Sequence, residues 1–157
     1  MNGCLPARKD RQPRSPTSDH QKRRCDAVVT DDPTPTPYVV VCRGPNCRER
    51  GGRSLRARLA QVARDQDQVR LLGYACFGQC DHGPNVVFYP AGDWYGGLCQ
   101  PDAAERVLAH ARGEARLTQP PLTLETCERG QHLRNIAELV ELDRRARAAP
   151  KRWWWPF

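Results

Sequence analysis

The chain has 157 residues, enough for one domain of ordinary size with extensions. Hydrophobic residues make up 39%, charged residues 27%, and 14 Pro and 12 Gly interrupt the chain, so part of it lies outside any core. The longest aliphatic runs, such as Val39–Val41, fall far short of the ~20 apolar residues of a membrane-spanning helix, and no N-terminal apolar stretch suggests a secretory signal. The net charge of +7 is spread evenly: residues 1–37 carry seven basic and five acidic groups (+2), residues 38–112 ten and seven (+3), residues 113–157 eight and six (+2). A phosphate-tracking groove needs clustered cations, and basic stretches here have acids interleaved. Nucleic-acid binding is therefore disfavoured, and an acidic protein partner fits better.

Residues 1–37 hold Pro6, Pro13, Pro16, Pro33, Pro35 and Pro37 among polar and charged side chains. Such a lead buries too little apolar surface to offset its ordering entropy and reads as disordered. Its five aspartates, Asp10, Asp19, Asp26, Asp31 and Asp32, argue against an organellar transit peptide.

Order begins at Tyr38. The β-branched run Tyr38–Cys42 predicts a strand buried on both faces. After a Gly/Pro-punctuated loop, Leu55, Leu59, Val62 and Ala63 recur at helical spacing, with Ser54 as the candidate cap. Val69–Ala75 predicts a second strand, Val86–Tyr89 a third and Trp94–Leu98 a fourth, the last two joined as an antiparallel hairpin by the turn 90–93. A further helix starts near Pro101 and carries Val107, Leu108 and Ala111. The order β-α-β-β-β-α predicts an α/β sandwich of helices on one small sheet. Beyond Gly113, the apolar stripe Leu133, Ile136, Ala137 and Val140 predicts a helix over 132–147, which either packs on the domain or binds a partner. The end of the chain, Trp153-Trp154-Trp155 after Lys151 and Arg152, reads either as a loosely folded tail or as a docking peptide.

Eight cysteines stand at positions 4, 25, 42, 47, 76, 80, 99 and 127. Four form two close pairs, Cys42/Cys47 and Cys76/Cys80, and each pair follows a predicted strand. If the two strands lie side by side, their C-terminal ends bring both loops to one edge, where four thiolates can hold a small cluster. Neither pair has the tight C-x2-C knuckle favoured by structural zinc, and the wider loops suit an iron–sulfur cluster. Gly44, Gly51, Gly52, Gly78 and Gly83 allow the backbone to approach the sulfurs and to aim N–H groups at them.

The stretches VVVCRGPNCRERGG, ACFGQCDHGPNVVFYPAGDWYGGL and PDAAERVLAHA resemble the thioredoxin-like 2Fe–2S ferredoxins and, more distantly, the cluster-bearing small subunit of respiratory NADH dehydrogenases. The resemblance covers residues 38–112 and includes Gly83-Pro84 and the Tyr89–Gly96 hairpin. It implies a thioredoxin-like two-layer sandwich with a small mixed four-stranded sheet. It also implies one 2Fe–2S cluster on Cys42, Cys47, Cys76 and Cys80, and homodimers in some members. The lead (1–37) and the tail (113–157, with one amphipathic helix and an aromatic end) lie outside it. Cys99 reads as a buried residue or as a thiol able to exchange as ligand, and His82 as a loop histidine or a Rieske-type ligand. Thioredoxin's own disulfide chemistry needs C-x-x-C, which neither pair supplies.

No acid–base pair or nucleophile stands out, so the sequence reads as an electron carrier without substrate chemistry of its own. It would be cytoplasmic and would exchange electrons with a reductase and an acceptor. Two other readings stand beside it: an electron-relay subunit of an NADH-linked oxidoreductase complex, and a zinc-stabilised interaction or nucleic-acid adaptor. Trp94 and Tyr95 point to opposite faces of a strand. Either one of them is available for a dimer contact, or both belong to the core of a covered sheet.

Overall fold

The β-branched run after Pro37 forms the first strand, β1 (Tyr38–Cys42), in a computed structural model that describes residues 36–64 and 68–149. The expected disordered lead through residue 35 and the Trp-rich tail, whether loosely folded or docking, lie outside the described residues. A short helical turn (Pro45–Cys47) and a wider one (Arg48–Gly52) lead into α1 (Arg53–Val62). Ser54 does not cap this helix. Gly52 already has helical dihedrals (φ −62°, ψ −27°), so the chain enters α1 from a preceding turn and Ser54 lies inside.

β2 (Arg70–Tyr74), β3 (Val86–Tyr89) and β4 (Asp93–Tyr95) follow, then α2 (Ala103–Ala111) and α3 (Thr126–Ala148). β4 stops at Tyr95 rather than running to Leu98. Gly97 takes a positive φ of 68° and donates its N–H to the His82 carbonyl at 2.6 Å, which turns the chain out of the sheet. α3 begins six residues earlier than the expected start at residue 132, because its first turns are polar and carry no helical periodicity.

The sheet order is β2-β1-β3-β4, with β1 parallel to β2 and antiparallel to β3, and β3 antiparallel to β4. This is the small mixed four-stranded sheet expected of a thioredoxin-like sandwich. Alternation along the strands divides the core in two. Val39, Val41, Val86, Phe88 and Tyr95 pack with Leu55 and Leu59 of α1 and with Val107 and Leu108 of α2. On the other face, Val40, Cys42, Val87 and Trp94 pack with Phe77 and with Ile136 and Val140 of α3. The helix beyond Gly113 therefore packs on the sheet and adds a layer to the sandwich. Trp94 and Tyr95 do point to opposite faces, yet both are buried, at 2% and 7% exposure. Of the two readings of this pair, the covered sheet is the one observed, and neither ring is left for a contact outside the chain. Among the described residues no helix is long and apolar enough to cross a membrane.

Ile136 is the largest wholly buried side chain that α3 places on this second face. Ile136→Ala is expected to lower unfolding free energy by about 3 kcal/mol, measured by urea denaturation. A loss under about 1 kcal/mol would show that α3 does not close this side of the core.

Candidate metal centre

The parallel register of β1 and β2 pairs Cys42 with Tyr74, the last residues of the two strands. Both chains leave the sheet at the same edge, so the loop carrying Cys47 and the loop carrying Cys76 and Cys80 start side by side. The Arg43 N–H donates to the Tyr74 carbonyl at 2.7 Å and fastens their first residues together. Farther on, the Cys42 N–H donates to the Asn85 carbonyl at 3.0 Å, tying the return of the second loop to β1.

All four expected residues converge. The sulfurs of Cys76 and Cys80 are 3.9 Å apart. Two thiolates on one tetrahedral metal ion with bonds of about 2.3 Å stand about 3.8 Å apart, so this pair is spaced to share a metal. Cys42 is within hydrogen-bonding reach of Cys47 and of Cys76, and Cys47 and Cys80 interact electrostatically. Among the described residues no group of three or more His, Cys, Asp and Glu side chains surrounds a point suited to a single metal ion. The four sulfurs instead form a chain of contacts, Cys47 to Cys42, Cys42 to Cys76 and Cys76 to Cys80. Cys42 and Cys47 are buried, whereas Cys76 and Cys80 are partly exposed, so one edge of the site is close to the surface.

Hydrogen bonding acts unequally on the Cys42, Cys47 and Cys76 sulfurs. The Cys47 thiol, followed by the Gly44 and Phe77 N–H groups, stabilises a Cys42 thiolate and draws its pKa down to about 6 despite burial. Cys47 is pushed up by the same hydrogen bond, by burial and by the charge on Cys42, so this pair holds one proton between its two sulfurs near neutral pH. At Cys76 the Gly78 N–H, 3.4 Å away, favours the thiolate, but burial and the neighbouring Cys80 and Cys42 outweigh it and raise the thiol. A metal group able to accept thiolates displaces these protons.

The glycines answer to the sulfurs in part. A Cβ on Gly83 would lie 2.9 Å from the Cys47 sulfur, and one on Gly44 would lie 3.2 Å from the Cys76 sulfur. Gly52 passes against the Cys47 carbonyl, where a Cβ would come within 2.5 Å. Gly51 faces Cys99 and Pro84 instead of a ligand. Cys99 is disulfide-bonded, which removes it as an exchangeable ligand. His82 is exposed and contributes its carbonyl to Gly97, so it is a loop histidine outside the site.

Several positions that hold this site are not evident from the cysteine pattern. Asn85, 1% exposed, donates from Nδ2 to the Gln79 carbonyl at 2.5 Å and to the Cys47 sulfur at 3.6 Å. A polar residue opening an otherwise apolar strand is the signal that could have marked it. Phe77, lying between two expected ligands, stacks on Tyr74 at 4.8 Å and meets Trp94 edge-on at 4.9 Å, anchoring the loop in the core. α3 contributes His132, whose Nδ1 lies 3.1 Å from the Tyr74 hydroxyl and whose ring meets Phe77 at 5.9 Å. Burial holds its pKa below the ordinary histidine value, against the opposing pull of Glu128 and a Phe77 carbonyl. Gly78, at φ +75°, leaves room for the Glu128 carboxylate, which a Cβ would meet at 2.8 Å. No sequence signal tied these two α3 residues to the loop, because only the packing of the helix brings them there.

No family model matches the chain. It is 28% identical over 86 residues to the "Putative 2Fe-2S ferredoxin" of Priestia megaterium, a match covering 52% of this chain and 66% of that protein. It is 44% identical over 43 residues to a 2Fe–2S ferredoxin of Clostridium pasteurianum, covering 27% of this chain and 42% of that one. The matches thus span just under two thirds of the first relative and less than half of the second. In three dimensions the chain is similar to the crystal structure of the wild-type thioredoxin-like [2Fe-2S] ferredoxin of Aquifex aeolicus. The two are 25% identical with a TM-score of 0.50, and the match covers 58% of this chain and all of that one. The fold is thioredoxin-like.

Gly83 has an extended backbone (φ −64°, ψ 154°) that alanine adopts without strain, so a substitution there acts through the Cys47 contact alone. Gly83→Ala is expected to leave the protein folded by circular dichroism and to cut its metal content to about half or less, read by elemental analysis. Undiminished metal content would show that the sulfur does not need this close approach.

Proposed function

We propose that this chain, a relative of the thioredoxin-like 2Fe–2S ferredoxins, is a one-electron carrier with a single 2Fe–2S cluster on Cys42, Cys47, Cys76 and Cys80. The observation that carries the reading is the parallel pairing of β1 and β2, which delivers thiols from two separate loops to one sheet edge. When bound, such a cluster supplies a reversible one-electron couple, and no substrate bond has to be made or broken. The chain's own part is to bind, shield and tune. Buried Cys42 and Cys47 hold the inner side away from water, while the partly exposed Cys76 and Cys80 leave an outer side within reach of a partner. The N–H groups of Gly44, Phe77 and Gly78 and the Asn85 amide point at sulfur. They favour the more negative state of the site and so raise its reduction potential. The partners are a reductase that donates the electron and a protein that accepts it. The four sulfurs are free of disulfides and so available for ligation.

The protein purified from iron-replete cells is expected to be red-brown, to contain about two iron and two sulfide per chain, and to bleach with dithionite. Serine at any one of Cys42, Cys47, Cys76 or Cys80 is expected to remove or strongly shift the visible spectrum, and Cys127→Ser to leave it unchanged. A colourless protein holding zinc would overturn the reading. An unaltered spectrum in Cys47→Ser would overturn the ligand set.

A further inference from the structure

Between residues 43 and 64 the sequence carries seven arginines and one acid, Glu49. The even charge along the chain conceals this run, because the acids that balance it belong to other segments. The fold draws part of the run together. Arg43 follows β1, Arg48 follows Cys47, and Arg53 and Arg56 lie one turn apart on α1. All four are exposed and line a cavity of about 540 Å³ that has Cys42 in its wall. A second cavity, of about 690 Å³, shares Arg48 and Arg53 and extends the basic face toward Arg50 and Arg58, with Glu49 at its wall.

Several arginines elsewhere on the surface are paired with acids, although Arg116, Arg129 and Arg134 are not. Arg58 pairs with Glu105, Arg112 with Glu114, Arg145 with Glu141 and Arg147 with Asp143, at 2.6–2.8 Å. Arg43, Arg48, Arg53 and Arg56 form no ion pair among the described residues. Like charges gathered without counter-charges repel one another, and a carboxylate-bearing surface relieves that repulsion while accepting the guanidinium forks in pairs.

We infer that this arginine face is the docking surface for an acidic protein that exchanges electrons with the neighbouring thiolate site. The inference rests on the electron-carrier reading above and names the chemistry of the partner. Three features favour a protein over a nucleic acid. The face is a compact patch around one helix rather than a stripe that follows a phosphate backbone. It offers no exposed aromatic ring for bases to stack on, since Leu142 of α3 is the large hydrophobic side chain left exposed among the described residues. And Cys42 lies in the wall of the same cavity, so a carboxylate surface seated on Arg43 and Arg48 comes close to the thiol site.

The test uses an acidic FMN protein, a flavodoxin, as probe. Affinity is read by fluorescence anisotropy and electron exchange by stopped flow, each across a range of ionic strength. Arg53→Glu with Arg56→Glu changes exposed helix positions away from the ligand loops and should leave the visible spectrum intact. This variant is expected to weaken binding and slow exchange about tenfold or more at low ionic strength, with the difference disappearing near ~1 M salt. The same charge change on α3, Arg145→Glu with Arg147→Glu, is expected to alter both by less than about twofold. Equal affinities for wild type and the Arg53/Arg56 variant would overturn the inference. So would tighter binding to a single strand of about 20 nucleotides, or to phosphatidylserine vesicles, than to the probe. A colourless wild-type protein would instead defeat the electron-carrier reading, and the affinity arm alone would then decide whether the face recognises acidic proteins.

Discussion

The structure depends on the pairing of β1 with β2 in parallel. An antiparallel pair would have put Cys42 and Cys76 at opposite ends of the sheet, about the length of a five-residue strand apart. Parallel pairing requires a crossover, and α1 provides it, with Leu55 and Leu59 buried against the sheet. The crossover and the thiol site are thus one arrangement. The turns that begin the crossover carry Cys47, and the strand that ends it delivers Cys76 and Cys80. Each loop is then held by a backbone hydrogen bond to a neighbouring segment, from Arg43 to Tyr74 and from Cys42 to Asn85.

α3 gives the second face of the sheet its cover and the cysteine loop its backing. Ile136 and Val140 bury the face that Cys42 and Trp94 share, while His132 and Glu128 reach the loop at Tyr74, Phe77 and Gly78. Phe77 sits between two proposed ligands yet is wholly buried, so the loop around it is pinned from inside rather than left to follow solvent. A site whose ligands come from loops can still be rigid when one residue of each loop belongs to the core. Asn85 does the same from the other side, spending its amide on the Gln79 carbonyl and the Cys47 sulfur.

The same crossover also gives the molecule its electrostatic asymmetry. Arginines near the ends of one strand and along one helix face lie beside the thiols, and the acids that offset them in the total charge lie elsewhere. On α3, by contrast, charges alternate at i and i+4 and neutralise one another locally. The two surfaces therefore present different fields, because the arginines beside the thiols have few acids near them in sequence while Arg145 and Arg147 of α3 each meet one a turn away.

Much of this was legible in the residues. The β-branched run at Tyr38–Cys42, the order of elements and the two cysteine pairs required only local patterns, since strand alternation, helical periodicity and loop spacing are properties of a few neighbouring residues. The ends of elements were less legible. Gly97 turns β4 out of the sheet, and the helical Gly52 carries the turn into α1, both through backbone dihedrals that composition alone leaves open. The direction of the β1–β2 pairing, the burial of both Trp94 and Tyr95, the approach of Glu128 and His132 to the loop and the gathering of unpaired arginines around Cys42 belong to the tertiary structure. Each is a contact between residues far apart in the chain, where packing of whole faces and not any local preference selects which side chains meet.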